Sequence, residues 1–252
     1  HPARRRLGAA GVPLGAWLAY RFGWHSTFWT VAVLAAATTL VLFHAIPQRV
    51  SFQATTLVTI LSALRNGRLM LAVTFTATIM TAVYIVFTYF GPLIEASAGS
   101  NPETRTFYLV LFGIGAVIGN YAGGILTDRI GPKRTLIIIC IAHVVLMPMF
   151  SIIPWSPLVF AALVGVWSSF GWAFMAPQQS RLVAIAPSAQ ALALALNAAM
   201  IYVGIAIGSG IAGRLLNWQG LPALGIAAGF GAALAIVHLL VSSRPGKPAP
   251  AI

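Results

Sequence analysis

The stretch GGILTDRIGPKR, residues 123–134, concentrates ionisable side chains in a chain that has few of them. Asp128 is one of only three acidic residues among 252, and three cations lie within six residues of it: Arg129, Lys133 and Arg134. A carboxylate placed here can pair with Arg129 or Arg134, or accept from the exposed N–H groups at a helix N-terminus. This combination predicts an ionic contact that joins two helices in one conformation and releases them in another.

The same stretch has the residues of a tight turn. Gly131 tolerates a positive φ, and Pro132 fixes its own φ. Gly124, one helical turn before Asp128, allows the close approach of another backbone. The pattern therefore predicts a short turn between two helices.

Composition indicates that lipid surrounds most of the chain. The sequence is 59% hydrophobic and 7% charged, with a mean hydropathy of +0.91, whereas a soluble domain has about 25% charged residues. A net charge of +12 would suggest nucleic acid, but the cations are scattered at the ends of apolar runs rather than gathered in one stripe. The only cysteine, Cys140, excludes an intramolecular disulfide.

Uncharged stretches predict seven complete transmembrane helices, because roughly 20 residues of helix cross about 30 Å of hydrocarbon. The fourth stretch is long enough for two spans and is divided by the proline-containing IPWSP, residues 153–157. Residues 7–20 are too short for a span, and we favour a partial span over a signal peptide because no small-residue cleavage site follows. The six stretches are 22–48, 69–94, 106–127, 135–180, 182–213 and 215–243.

The distribution of cations predicts the orientation in the membrane, since lysine and arginine favour cytoplasmic loops. If the spans alternate, twelve of the fifteen cations share one side with both chain ends, and only Arg21, Arg105 and Arg214 lie on the other. We therefore expect a cytoplasmic C-terminus.

Residues 48–68 form no span. Within them, four leucine and isoleucine residues have the spacing of one helical face: Leu57, Ile60, Leu61 and Leu64. This spacing favours an amphipathic helix on the membrane surface over a plain loop.

The charged turn resembles the signature loop of the major facilitator superfamily. The residues that carry the resemblance are Gly124, Asp128, Arg129, Gly131, Pro132, Lys133 and Arg134. That family has twelve spans in two six-helix bundles, with the loop after span two and a weaker copy after span eight. Four spans follow the loop here, so the resemblance identifies the second copy, and segments such as GVPLG (11–15) and APQQSRL (176–182) are similar to spans five and ten of drug and sugar efflux members.

The resemblance implies an all-α polytopic membrane protein with a major facilitator fold that lacks spans one to four, leaving seven complete helices and a partial one. The implied division is a remainder of the N-terminal bundle at 1–46, a cytoplasmic linker at 47–68, a C-terminal six-helix bundle at 69–242 and a cytoplasmic tail at 243–252. The implied location is the bacterial inner membrane, with a monomeric protein.

The function implied by the resemblance is export of a small drug-like or sugar solute in exchange for protons, by alternating access, without a cofactor or a metal. The alternative is a truncated remnant that does not transport, because no Asp or Glu lies within a span, where family members bind their coupling proton. No nucleophile elbow, phosphate loop or carboxylate pair supports an enzyme.

Three further groups of residues are candidates by position in the family. Candidates for substrate binding, with interhelical hydrogen bonding as the alternative, are Tyr84, Tyr89, Asn120, Trp172, Gln178 and Asn197. Glycines recur every four residues on two helices, which predicts either a sliding interface between bundles or close packing inside one bundle. These glycines are Gly115, Gly119, Gly123, Gly204 and Gly208. A kinked motif of span five is expected at Gly11, Pro13 and Gly15. We interpret His143 and His238 as packing or interface residues, with proton relays as the alternative.

Overall fold

A computed structural model of the protein describes residue 18, residues 21–45 and residues 57–243. The described part is α-helical and has no strand, as the sequence predicts. Its helices are α1 (Trp24–Ala45), α2 (Leu57–Arg65), α3 (Gly67–Phe87), α4 (Phe90–Ala98), α5 (Pro102–Ile130), α6 (Pro132–Met149), α7 (Pro157–Ala173), α8 (Met175–Ile185), α9 (Gln190–Gln219) and α10 (Pro222–Ser242).

Seven segments of the described chain are long and apolar enough to cross a membrane, which confirms the predicted number. They are α1, α3, α5, α6, the continuous pair α7 and α8, α9, and α10. The predicted division at IPWSP is also present, because α6 ends at Met149 and α7 begins at Pro157. One predicted span is interrupted: α3 ends at Phe87, and α4 continues from Phe90 after a short break.

Local sequence explains where these helices begin and end. The side chains of Asn66 and Asn101 cap α3 and α5 by accepting from backbone N–H groups of their first turns, at 3.1 and 2.6 Å. Proline, whose missing N–H is not needed in the first turn, opens four helices: Pro102, Pro132, Pro157 and Pro222. Helices α5 and α9 end at glycines with positive φ, Gly131 at 84° and Gly220 at 76°.

The helices from α3 to α10 pack into one bundle. Helix α3 lies between α9 and α10, α5 lies along α7, and α6 lies along α10. Buried side chains continue from one end of this bundle to the other, with Trp167 and Phe150 near the α4 end and Leu69 and Leu182 near the α2 end. No residue of α1 is buried within the described structure, and the helix predicted in 48–68 is present as α2.

The predicted glycine faces are among the closest helix contacts in the described bundle. A Cβ atom at Gly208 would lie 2.5 Å from the carbonyl oxygen of Thr81, and one at Gly204 would lie 2.6 Å from that of Ala77. The glycines of α5 contact α7 in the same way, with Gly119 against the backbone of Ser169. Both faces are therefore occupied by neighbouring helices of one bundle, which corresponds to close packing rather than to a sliding surface between bundles.

We predict that Gly208→Ala destabilises the protein and that Gly210→Ala, on the same helix, does not. The new methyl group at position 208 meets backbone that cannot move without separating α9 from α3, and such overpacking costs about 1–3 kcal/mol. Position 210 has nothing within 4 Å, so the substitution there gains helix propensity of up to about 1 kcal/mol. Thermal unfolding in detergent measures both, and equal melting temperatures for the two variants would contradict the packing described.

Candidate functional site

A cavity of about 260 Å³ opens between α3, α5, α7, α8 and α9. Its lining consists of Met80, Val83, Tyr84, Phe87, Phe112, Trp167, Ser168, Gly171, Trp172, Met175 and Ile201. The lining residues of α3 are spaced i, i+3, i+4, i+7, and four residues of α7 and α8 starting at Ser168 have the same spacing. Each of these two segments therefore presents one helical face to the cavity.

Aromatic rings form one wall of the cavity. The ring of Phe87 lies 5.2 Å from that of Phe112 and 6.4 Å from that of Trp167, between centroids. Phe90 and Phe150 support Trp167 from behind at 5.7 and 5.1 Å. Because these rings contact one another in tilted or edge-on arrangements, the position of the wall is fixed by their packing.

The lining carries no charged side chain. Its polar groups are the hydroxyl of Tyr84, the hydroxyl of Ser168 and the indole N–H groups, and the Ser168 hydroxyl already donates to the Gly165 carbonyl at 3.0 Å. The cavity also holds two thioethers, Met80 and Met175, which adapt their shape to aromatic partners. Such a surface binds through dispersion and ring stacking and offers few hydrogen bonds.

The structure brings two of the six substrate-binding candidates to this cavity. Tyr84 and Trp172 line it, and Trp172 is 45% exposed. Tyr89 lies at the start of α4, and Asn120 is exposed on α5; neither belongs to the lining.

The other two candidates, Gln178 and Asn197, are buried in a hydrogen-bond network between helices. The Thr76 hydroxyl of α3 donates to Asn197 Oδ1 of α9 at 2.6 Å. It accepts from Gln178 Nε2 of α8 at 2.9 Å, and the same amide donates to the Ala72 carbonyl at 2.8 Å. This arrangement matches the alternative of interhelical hydrogen bonding, and Thr76 is the residue that joins the three helices.

The charged turn joins α5 to α6, as predicted, but the close approach of another backbone predicted at Gly124 is wrong in the described structure, because a Cβ atom there would have nothing within 4 Å. Gly131 is the single residue between α5 and α6; its N–H donates to the Thr127 carbonyl at 3.0 Å, and its own carbonyl accepts from the Thr135 hydroxyl at 2.9 Å. With φ at 84°, this position favours glycine.

The predicted ion pair within the turn is wrong for this conformation. Among the described residues, the one ion pair joins Glu95 to Arg105 at the other end of the bundle, so Asp128 pairs with neither Arg129 nor Arg134. Asp128 and Arg129 are successive helical residues, which do not face each other, and both are exposed, as is Arg134. The carboxylate is therefore free for a partner outside the turn.

Sequence reasoning missed most of the cavity. Phe87, Phe112 and Trp167 were not candidates, although the four lining residues of α3 repeat at the spacing of one helical face. That signal was weak because α3 is apolar all round. The motif expected at Gly11, Pro13 and Gly15 lies outside the described residues.

The sequence and the fold were compared with known proteins. The family model of the Major Facilitator Superfamily matches residues 7–188. The uncharacterized MFS-type transporter YbcL of Bacillus subtilis is 26% identical over 93% of this chain and 61% of its own length. The inner membrane transport protein YdhP of Escherichia coli K12 is 28% identical over 93% of this chain and 60% of its own.

A chloramphenicol resistance protein of Streptomyces lividans is 31% identical over 82% of this chain and 54% of its own length. The crystal structure of the MFS transporter FucP in an outward conformation matches with a TM-score of 0.62 at 14% identity, over 88% of this chain and 55% of that one; this likeness concerns the fold alone. The chain thus spans 54% to 61% of the length of these curated relatives.

We predict that Thr76→Val destabilises the protein and that Thr74→Val, two residues away on α3, does not. Valine at position 76 leaves the amides of Asn197 and Gln178 without their shared partner, at a cost of about 1–2 kcal/mol. Thr74 donates only to carbonyls of its own helix, Met70 and Leu71. Unfolding free energies in detergent measure both changes, and a neutral Thr76→Val would show that the network contributes nothing.

Proposed function

The chain belongs to the Major Facilitator Superfamily, whose members are transporters and not enzymes, and from this premise we propose that it serves the export of small drug-like solutes. The observation that carries the proposal is the aromatic cavity between α3, α5 and α7. Its five aromatic side chains and two methionines suit an uncharged solute with an aromatic group.

A drug-like solute fits this cavity better than a sugar, the other class that the sequence suggests. A sugar presents hydroxyl groups all round, and each needs a hydrogen-bond partner when it leaves water. Tyr84 and Ser168 supply the hydroxyls of the lining, and that of Ser168 is already engaged. The name of the S. lividans relative, a chloramphenicol resistance protein, supports the same choice.

In the proposed mechanism the cavity opens alternately to the two sides of the membrane, and the turn around Gly131 takes part in a latch. Asp128 is exposed and free of an ion pair within the described residues. It therefore remains available to a helix N-terminus or a cation on another part of the transporter. With the orientation favoured by the cations, this latch closes the cytoplasmic side.

Proton exchange is the proposed source of energy, on the basis of the resemblance to proton-coupled efflux members. The three acidic side chains of the sequence lie near helix ends, and that of Glu95 already pairs with Arg105.

We also propose that the protein is a monomer in the bacterial inner membrane, with its C-terminus on the cytoplasmic side. The E. coli relative is named an inner membrane transport protein.

For the cavity, we expect Trp172→Ala to weaken binding of chloramphenicol about tenfold, which corresponds to about 1.4 kcal/mol of lost ring contact. The matched control is Trp218→Ala, because Trp218 is 81% exposed and lies outside the lining. Equilibrium dialysis of the detergent-purified protein against labelled chloramphenicol measures both. Equal affinities of the two variants would exclude this cavity as the binding site.

For the latch, we expect Asp128→Asn to reduce export at least about tenfold in a full-length relative that keeps this turn, with normal expression. The amide keeps the shape of the side chain but removes its charge. The control is the residue that matches Glu103, changed to glutamine, since this carboxylate lies at the opposite end of α5. Efflux of a fluorescent substrate from cells is the measurement, and undiminished export by Asp128→Asn would defeat the latch.

A further inference from the structure

Arg181 of α8 is a cation buried at the end of the bundle that also carries the charged turn. Its side chain is 6% exposed. Its Nη2 donates to the Ser242 hydroxyl of α10 at 2.7 Å, and its guanidinium carbon lies 5.7 Å from the centre of the Phe75 ring of α3. The guanidinium is thus held between three helices, in contact with a hydroxyl and an aromatic face.

Within residues 57–243, no acidic side chain pairs with this buried charge. All three acidic residues of the sequence lie in the described part: Glu95 pairs with Arg105, and neither Glu103 nor Asp128 lies within 4 Å of Arg181. Because a buried ion that lacks a partner is strongly unfavourable, the position indicates that something else neutralises Arg181.

One hydrogen-bond donor of this guanidinium is also unused. Arg181 Nη1 is shielded from solvent and lacks a partner in the described structure. Arg68, the exposed second residue of α3, adds positive charge that acts on Arg181. His238 contributes no free group, since its ring nitrogens contact the Thr78 hydroxyl at 2.8 Å and the Leu71 carbonyl at 3.0 Å.

We propose that these groups form an anion site for a phosphoryl group between α3, α8 and α10. Arg181 supplies the buried charge and a free N–H, and the exposed Arg68 supplies a second positive charge. A phosphoryl group accepts several hydrogen bonds at once and carries the negative charge that the site lacks.

An uncharged acceptor inside the protein does not satisfy this site. Gln178 lies one turn before Arg181 on α8, and its Oε1 is likewise buried without a partner. No hydrogen bond joins Oε1 to Arg181 in the described structure, and an amide oxygen brings no negative charge. The phosphoryl group has two possible sources: the headgroup of an anionic phospholipid, which lies at the depth where transmembrane helices end, and free inorganic phosphate.

The test is the melting temperature of the detergent-purified protein with each source of phosphoryl group. Phosphatidylglycerol at about 100 times its dissociation constant is expected to raise the melting temperature by about 5 °C or more. Zwitterionic phosphatidylcholine serves as the lipid control. A shift with phosphatidylglycerol alone identifies a lipid headgroup, and a shift with inorganic phosphate identifies the free ion; either result supports the site.

Three single substitutions test whether the shift in melting temperature arises from binding at Arg181. Arg181→Met is expected to abolish the shift, and Arg68→Gln, at an exposed position where folding is not at risk, is expected to reduce it by half or more. Arg129→Gln removes an exposed arginine from the same end of the bundle and is expected to keep the full shift. Absence of any shift in the unmodified protein would overturn the proposal, as would an undiminished shift in Arg68→Gln.

Discussion

Contact between helix backbones at glycine is the constraint on which the cavity depends. Lipid gives transmembrane helices no hydrophobic reason to associate, so they are held by close packing and by hydrogen bonds. Gly208 brings α9 against α3 beside Tyr84, and Gly115 brings α5 against α7 beside Ser168. Tyr84 and Ser168 both line the cavity, so the same contacts that hold the bundle together set the width of the site.

Buried polar groups divide into two kinds according to whether the chain satisfies them. The network of Thr76, Asn197 and Gln178 uses side chains of three helices and needs almost nothing from outside. Among the described residues, Arg181 contacts one hydroxyl and one aromatic face and pairs with no carboxylate. The first kind fixes the arrangement of helices, whereas the second indicates a ligand.

Hydropathy predicted the spans because crossing a bilayer requires length and apolarity, and both are visible in sequence. The turn at Gly131 was equally visible, since few residues besides glycine accept its φ. The face that each helix presents to the cavity could not be predicted from the sequence. Lipid and cavity both favour apolar side chains, so the hydropathy pattern does not distinguish a lipid-facing residue from a cavity-lining one. For this reason Phe112 and Trp167 were overlooked. Asn197 and Gln178 were chosen as substrate-binding candidates because they are polar, but their side chains form hydrogen bonds to neighbouring helices.

The central claim is that an aromatic solute binds between α3 and α7. It is tested most directly by irradiating the purified protein with a photoreactive aromatic solute and identifying the labelled peptides by mass spectrometry. We predict labels on peptides that contain Tyr84 and Trp172, and competition by unlabelled solute. Labels confined to α1 or to the lipid-facing surface of α6, or labels that no competitor removes, would contradict the account.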